Sequence, residues 1–227
     1  MLSNQRVLKF PLSEKVFHNL NLVTWIGLAV TGVLIYFKLV DEKMSEILMD
    51  WHIGIAIVFT MNFFGFMFLN FDRFSLMLRN LFIWDKDTFA WFKNFGGYPR
   101  RLFGIKFGPE EVAPQGRFNA GQKATYIIFM FMIFALIVTG WLLYAYPAAI
   151  GKVVTKWMFV FHVWASILTT LIAFCAHMPL ALINIEDFKA MFRFGPGDVP
   201  LEDAYHHAPK WVKEDLISID GNLKTIK

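Results

Sequence analysis

Four long uncharged stretches dominate the pattern of hydrophobic and polar positions along the chain. They cover about residues 17–37, 51–71, 124–149 and 157–185. Each meets or exceeds the roughly 20 residues that an α-helix needs to cross a ~30 Å hydrocarbon core. The stretches are continuously apolar, whereas the strands of a membrane β-barrel are short and alternate. The pattern therefore predicts an all-α membrane protein built as a bundle of four transmembrane helices.

The composition supports the same class of protein. The chain has 227 residues, of which 56% are hydrophobic and 18% aromatic, more apolar surface than a soluble domain of this size buries. The first span follows cationic residues as a signal peptide does, but its apolar run is too long and lacks a small-residue cleavage site. We expect it to be a retained anchor. We expect residues 1–227 to form a single integral membrane domain, with a cytoplasmic connection at 72–123 and a cytoplasmic tail at 186–227.

The placement of lysine and arginine sets this orientation. The N-terminal tail, the 72–123 connection and the tail after residue 185 carry eighteen of these residues together, and the two opposite connections with the adjoining helix edge carry four. Cytoplasmic loops of membrane proteins are enriched in lysine and arginine. Both termini and the long connection are therefore predicted to be cytoplasmic. This asymmetry accounts for the net charge of +4 without a nucleic-acid partner.

The long connection contains a segment in which aromatic and cationic residues interleave. It reads "FDRFSLMLRNLFIWDKDTFAWFKNF". Such a composition is typical of an amphipathic helix that lies in the membrane interface. A cytoplasmic extension of the second span is the alternative interpretation.

Four histidines lie in or at the ends of the predicted spans: His18 in span one, His52 in span two, and His162 and His177 in span four. Spans one and three run outward, and spans two and four run inward. His52 and His162 therefore share an outer level. His18 and His177 share an inner level, about 22 Å deeper along span four at 1.5 Å per residue.

Imidazoles paired at two depths match the requirements of two b-type haems. A low-spin haem takes two axial imidazoles on opposite faces of its ring, supplied by facing helices. The fifteen residues between the histidines of span four turn a helix by four turns plus about 60°, so both side chains face one bundle. We predict that His52 and His162 hold an outer haem iron, and that His18 and His177 hold an inner one. Alternatively, a single histidine, above all His18, is solvated or bonded to a polar neighbour.

Spans one and three share a weak internal sequence similarity around small residues, here called the echo. "LAVTGVLIYF" and "LIVTGWLLYA" are centred on Thr31-Gly32 and Thr139-Gly140. In a membrane helix, this pair of residue types permits close approach and a local hydroxyl–carbonyl bond. Beside a haem the missing side chain also makes room for the ring, although helix packing explains the glycines equally well. His206 and His207 lie in a polar tail and are expected at the surface.

A second polar constellation opens span three, in "RFNAGQKATY" at residues 117–126. Asn119, Gln122 and the backbone amides around Gly121 offer neutral donors close to the depth of His177. A quinone needs donors for its carbonyl oxygens and an apolar slot for its ring. The alternative is structural, with Asn119 capping the helix and the glycine easing the turn.

These features together resemble the cytochrome b (gamma) subunit of respiratory formate dehydrogenases over nearly the full length of the chain. The resemblance rests on the four spans, the placement of the histidines and the sequences "FNAGQK", "LIVTG", "AHMP" and "HHAPKW". It implies two haems b, with the ligand pairs given above. It also implies a menaquinone pocket beside the inner haem, formed by Asn119, Gly121, Gln122 and His177.

The resemblance further implies partners and a location. These are an iron–sulfur electron-transfer subunit at the outer face, a molybdenum or tungsten catalytic subunit beyond it, and the bacterial cytoplasmic membrane. We expect the chain to pass electrons from the iron–sulfur subunit to menaquinone near the cytoplasmic face, without acting on the primary substrate itself. Alternatives are the equivalent subunit of a nickel–iron hydrogenase or thiosulfate reductase and, in a different class, a haem-free anchor or transporter.

The chain departs from that family at two points. Asn19 follows His18 where an aromatic residue is common in the family, and the histidine spacing in span four is slightly longer than the family's. One inserted residue turns a helical ligand by about 100°. A local bulge in span four would accommodate the additional residue.

Overall fold

The computed structural model describes residues 5–216 of the chain. These residues belong to two compact units. One unit, here called the membrane unit, combines residues 13–71 with 128–185. The other, here called the tail unit, gathers the N-terminal segment through residue 12, the connection 72–127 and the C-terminal segment from residue 186. The predicted tail at 186–227 extends beyond the described residues.

Within residues 5–216, four helical segments are long and apolar enough to cross a membrane. Their bounds are α1 (Leu12–Tyr36), α2 (Glu42–Leu69), α6 (Ala120–Ala145) and the continuous run Lys152–Ile183. The last run consists of α7 (Lys152–Ile172), a π-helical turn (Ala173–His177) and α8 (Met178–Ile183). The predicted mainly helical fold with four membrane-crossing segments is thus confirmed.

The helices start earlier than the predicted spans because helical hydrogen bonding continues through charged residues at the ends. The second helix begins at Glu42, where the Asp41 side chain accepts a hydrogen bond from the Met44 amide at 2.8 Å, a typical N-cap. Helix α6, which corresponds to span three, ends at Ala145, four residues before the predicted end of that span. Pro147 follows, and a proline cannot supply the amide that a continuing helix needs.

Aromatic side chains fill the interior of the membrane unit. Phe59, Phe63 and Ile137 are buried together, and Trp25 and Trp141 pack against them. Much of the remaining apolar surface of the long helices is exposed. This distribution is that of helices whose outer faces are solvated by lipid.

Two indole hydrogen bonds join the first helix pair of the membrane unit to the second. The Trp141 indole of α6 donates to the Thr60 hydroxyl of α2 at 3.0 Å. The Trp25 indole of α1 donates to the Thr170 hydroxyl of α7, also at 3.0 Å. Each accepting threonine lies eight residues after a predicted haem ligand, His52 or His162. The two halves of the bundle are therefore tied together by equivalent contacts.

Span four contains a bulge that ends at its second histidine. Residues Ala173–His177 form a π-helical turn that ends at the second histidine of the span. A π turn accommodates one additional residue within an otherwise α-helical run. The structure thus absorbs the longer histidine spacing at the position where the direction of His177 is set.

The tail unit contains a small antiparallel sheet, which the sequence analysis did not predict. β1 (Arg6–Phe10) pairs with β2 (Gly197–Pro200). A core of apolar side chains lies with it: Val7, Ala190, Val199, Leu201, Ala204, Ala208, Trp211, Val212 and Leu216. The Lys9 ammonium reaches the Asp187 carboxylate at 2.6 Å in a mostly buried ion pair. The two ends of the described chain are therefore folded against each other.

The long connection folds into short helices within and beside this unit. Those of the connection are α3 (Phe71–Phe82), α4 (Lys86–Ala90) and α5 (Tyr98–Phe103). The C-terminal segment after α8 forms α9 (Ile185–Phe192), α10 (Leu201–His207) and α11 (Pro209–Trp211). Asn70 leaves helical geometry between α2 and α3. The connection therefore begins with a separate helix, and α3 carries charged residues at both ends and the buried Leu81.

Candidate functional site

His52 lies on α2 and faces the Thr31-Gly32 step of α1. Its Nδ1 atom is 2.8 Å from the Thr31 hydroxyl oxygen. A Cβ atom added at Gly32 would lie 3.5 Å from the His52 Cε1 atom, within ordinary contact distance. The imidazole therefore packs directly over the backbone of the facing helix, with the hydroxyl at its Nδ1 edge.

The same arrangement recurs at His162, on α7. Its Nδ1 atom is 2.9 Å from the Thr139 hydroxyl oxygen of α6. A Cβ atom at Gly140 would lie 3.1 Å from the His162 Cε1 atom, which is tighter than an ordinary contact. The weak echo in the sequence thus corresponds to two equivalent histidine-binding steps. The close approach and the hydroxyl–carbonyl bond at these steps were predicted from the sequence, whereas the contact of each threonine with a histidine was not.

The four predicted histidines are all half-buried and fall into the two pairs expected from their depths. His52 and His162 are near enough to interact electrostatically. The ring centres of His18 and His177 are 6.4 Å apart, with an angle of 49° between the ring planes. Phe129 closes one side of the inner pair, its ring centre lying 5.7 Å from that of His177.

Asn19, which stands where the resembled family commonly has an aromatic residue, contacts His18. The His18 Nδ1 atom is 3.2 Å from the Asn19 side-chain oxygen. Because that oxygen only accepts hydrogen bonds, His18 is the donor in this contact. The proton then lies on Nδ1, and Nε2 carries the lone pair.

The donor set fits a haem iron better than a bare metal ion. Among residues 5–216, no group of three or more His, Cys, Asp or Glu side chains is arranged to hold a metal ion. A haem iron needs only two axial ligands from the protein. Two imidazoles that are each about 2 Å from one iron have ring centres roughly 6 Å apart, close to the spacing of His18 and His177. The facing glycines leave the outer imidazoles free of side-chain obstruction from α1 and α6.

The second predicted site, at the start of α6, is a reciprocal capping box. The Asn119 side-chain oxygen accepts from the Gln122 amide at 2.9 Å, and the Gln122 side-chain oxygen accepts from the Asn119 amide at 3.0 Å. Both oxygens satisfy backbone donors that a helix start otherwise leaves without partners. The motif therefore caps the start of α6, as its structural interpretation predicted. Whether the same side chains also bind a quinone stays a prediction.

Two aromatic residues that were not predicted from the sequence, Trp91 and Tyr98, contact this motif. A Cβ atom added at Gly121 would lie 2.7 Å from the Trp91 ring, so the glycine is required for that packing. Tyr98 forms a side-chain hydrogen bond with Asn119. Burial raises the pKa of Tyr98, and the nearby charge of Arg101 and the bond with Asn119 act in the opposite direction. Asn119, Gly121 and Gln122 belong to the tail unit, whereas His177 belongs to the membrane unit.

The remaining histidines are outside both sites. His206 is exposed, as predicted, whereas His207 is half-buried. The His207 Nε2 atom is 3.6 Å from an Asp203 carboxylate oxygen. Burial is the main cause that lowers the pKa of His207. Neither residue lies in the membrane unit that holds the histidine pairs.

Comparison with known proteins shows which protein family the chain matches. The sequence profile of the prokaryotic cytochrome b561 family matches residues 9–194. The chain is 24% identical over 224 residues to the "Formate dehydrogenase, nitrate-inducible, cytochrome b556(Fdn) subunit" of Escherichia coli (strain K12), with 94% of each chain covered. The proteins of the same name from Escherichia coli O157:H7 and Shigella flexneri match with the same identity and coverage.

The fold and the histidine pairs define a multi-pass membrane protein whose helical bundle presents paired imidazoles. The match over most of the chain makes the family plain: this protein belongs to the prokaryotic cytochrome b561 family. Membership implies that it binds b-type haem. The resemblance to formate dehydrogenase cytochrome b subunits, noted from the sequence, is confirmed by the curated relatives.

Proposed function

We propose that this chain is the dihaem cytochrome b subunit of a formate dehydrogenase complex in the bacterial cytoplasmic membrane. In this role it anchors the complex and passes electrons from an iron–sulfur subunit at the outer face to menaquinone near the cytoplasmic face. The observation that carries the proposal is the pairing of His52 with His162 and of His18 with His177 in one bundle. The supporting comparison is the likeness to a formate dehydrogenase subunit along 94% of both chains.

The two histidine pairs would hold the haems through Nε2 of each imidazole. When bound, two b-type haems supply one-electron carriers at two depths of the membrane. The protein's own contribution is to fix the ligand directions, to set the separation between the levels and to keep the interior dry. With each haem held by two imidazoles, the site would favour electron transfer over binding of a substrate at iron.

The orientation follows from the charge bias of eighteen to four. Under the positive-inside rule, both termini and the 72–123 connection lie in the cytoplasm, and the connections at 38–50 and 150–156 lie outside. An electron that enters at the outer pair then moves inward, against the membrane potential, at about 2.3 kcal/mol per 100 mV for a full crossing. A strongly reducing donor such as formate can sustain this step. Protons for quinone reduction are taken from the cytoplasm.

The proposed menaquinone site uses His177 with Asn119, Gly121 and Gln122. The capping box occupies the side-chain oxygens of Asn119 and Gln122, so the groups offered to a quinone carbonyl are their amide nitrogens. Such nitrogens are donors only, which suits a quinone oxygen. Gly121 contributes through its packing against Trp91, which supplies an aromatic surface next to these donors.

The catalytic partner is the part of the proposal that needs an assay of the assembled complex. The relatives are subunits of formate dehydrogenases, and this favours a formate dehydrogenase partner over a hydrogenase or a thiosulfate reductase. The test is to purify the full chain with its natural partners from membranes and to supply formate, hydrogen or thiosulfate separately. We expect formate alone to reduce haem and quinone. Haem reduction by hydrogen alone, or oxidation of previously reduced haem by thiosulfate alone, would replace the formate partner. A purified complex with no reducible haem would overturn the cytochrome function.

A further inference from the structure

The Thr31 and Thr139 hydroxyls are each held in one direction by their own helix. The Thr31 hydroxyl is 2.8 Å from the Gly27 carbonyl oxygen, and the Thr139 hydroxyl is 2.8 Å from the Ala135 carbonyl oxygen. A hydroxyl has one proton to donate and two lone pairs. Because a carbonyl oxygen only accepts, each threonine donates to its carbonyl and has a lone pair left for the histidine.

The direction of the second bond follows. The Thr31 oxygen then accepts from Nδ1–H of His52 at 2.8 Å, and the Thr139 oxygen accepts from Nδ1–H of His162 at 2.9 Å. A neutral imidazole has one protonated and one unprotonated nitrogen. In both histidines the proton is therefore on Nδ1, and Nε2 is free to bind a metal.

We propose that Thr31 and Thr139 are positioning residues for the outer haem, each fixing the tautomer and the ring plane of one axial histidine. This inference rests on the proposed dihaem function and deepens it. The glycine that follows each threonine lets the imidazole lie against the backbone, so the ring is held at its Nδ1 edge and along one side. Both ligands of one haem receive this support from two equivalent helix steps.

This support affects the electron carrier through its ligands. A hydrogen bond from a ligating histidine to an oxygen acceptor raises the basicity of the imidazole and fixes its orientation. A more basic ligand stabilises the ferric form relative to the ferrous form. Removal of both hydroxyls is therefore expected to raise the reduction potential of the outer haem and to change the angle between its two axial ring planes.

Back-bonded threonines elsewhere in the membrane unit show that the carbonyl bond by itself is ordinary. The Thr24 hydroxyl bonds the Leu20 carbonyl oxygen at 2.6 Å, and the Thr169 hydroxyl bonds the Ala165 carbonyl oxygen at 2.7 Å. Such bonds are common for threonine in helices. Thr24 is as buried as Thr31 and on the same helix, so it is the matched control for loss of a buried hydroxyl.

The test uses the full chain in its purified complex and compares Thr31→Val, Thr139→Val and the double substitution with the native protein. Thr31→Ser and Thr139→Ser restore the hydroxyl without the methyl group, and Thr24→Val is the control. The readouts are haem content per chain, the midpoint potential of each haem and the low-spin ferric EPR signal, which reports the angle between the axial ring planes. Because outer-shell partners typically account for about 10- to 100-fold in metal affinity, outer-haem release in the double variant should be at least about tenfold faster.

We expect both valine variants to shift the outer-haem potential upward and to alter its EPR signal, with the inner-haem values unchanged. Serine should restore the native values, and Thr24→Val should leave them as they are. Native potential and native EPR signal in the double valine variant would overturn the proposal, as would serine variants that behave like valine. A native complex without haem would instead overturn the proposed function, so the two failures are distinguishable.

Discussion

The two glycines that face the outer histidines should respond differently to the same substitution. Gly140→Ala places a Cβ atom 3.1 Å from the His162 Cε1 atom, whereas Gly32→Ala places one 3.5 Å from the His52 Cε1 atom. Carbon atoms pack at about 3.5–4.0 Å. The His162 ring must therefore retreat by roughly 0.5 Å, and the His52 ring can stay in place.

The size of the effect follows from this displacement. The bond between His162 Nδ1 and the Thr139 hydroxyl is 2.9 Å long. A retreat of the ring by roughly 0.5 Å lengthens this bond beyond the roughly 3.2 Å limit of a good hydrogen bond. Overpacking of this kind costs about 1–3 kcal/mol. Replacement of glycine by alanine favours a helix by about 1 kcal/mol, but this term is the same in both variants and cancels in their comparison. We expect Gly140→Ala to weaken outer-haem retention by on the order of tenfold or more relative to Gly32→Ala.

The assay is the rate of haem loss from the purified complex on warming, together with haem content per chain. Gly54→Ala, where the added Cβ meets nothing within 4 Å, is the control for the helical substitution itself. Equal haem retention in the Gly140 and Gly32 variants would refute the reasoning, because it would mean that the two imidazoles are not packed at different distances from the facing helices.

Three further predictions concern the rest of the molecule. Asn119→Ser keeps a good helix N-cap but removes the amide nitrogen, so quinone reduction should slow while haem reduction by formate is unchanged; native quinone kinetics would remove Asn119 from the site. Lys9→Met removes the ammonium from the mostly buried ion pair with Asp187 and should lower the thermal stability of the complex more than Lys189→Met at an exposed pair, which should cost less than about 1 kcal/mol. Equal losses in thermal unfolding would contradict the burial assigned to the first pair. A reporter fused after Lys227 should be active in the cytoplasm, and activity outside would invert the proposed direction of electron transfer.

The membrane helices were predictable because the signal for them is local. Each span is a long apolar run, and its length alone decides that it crosses a membrane. The depth of each histidine then follows from its place in the run, which is why the pairs of histidines emerged from the sequence. The bulge before His177 could not be decided from helix rotation alone, because fifteen residues already turn both histidines of span four towards one bundle. Only the shorter spacing of the resembled family suggested an inserted residue.

The features that were not predicted depend on residues far apart in the chain. The strand Arg6–Phe10 pairs with Gly197–Pro200. A segment of five residues is too short for the alternation of polar and apolar side chains to predict a strand. The role of Gly121 follows from Trp91, which packs against it from another segment. The contact of Thr31 with His52 likewise depends on the rotation of two helices about their axes, which the hydropathy of either helix does not fix.

The central claim is that two histidine pairs hold two haems in series, and separate removal of one ligand from each pair tests it most directly. The measurement is haem content per chain with formate-driven reduction spectra for His162→Ala and His177→Ala in assembled complexes. We predict that His162→Ala retains only the inner haem, still supports formate oxidation by a soluble dye and fails to reduce quinone. His177→Ala should retain an outer haem that formate reduces and that passes no electrons onward. A stably assembled His162→Ala complex that keeps two bis-histidine haems would contradict the account.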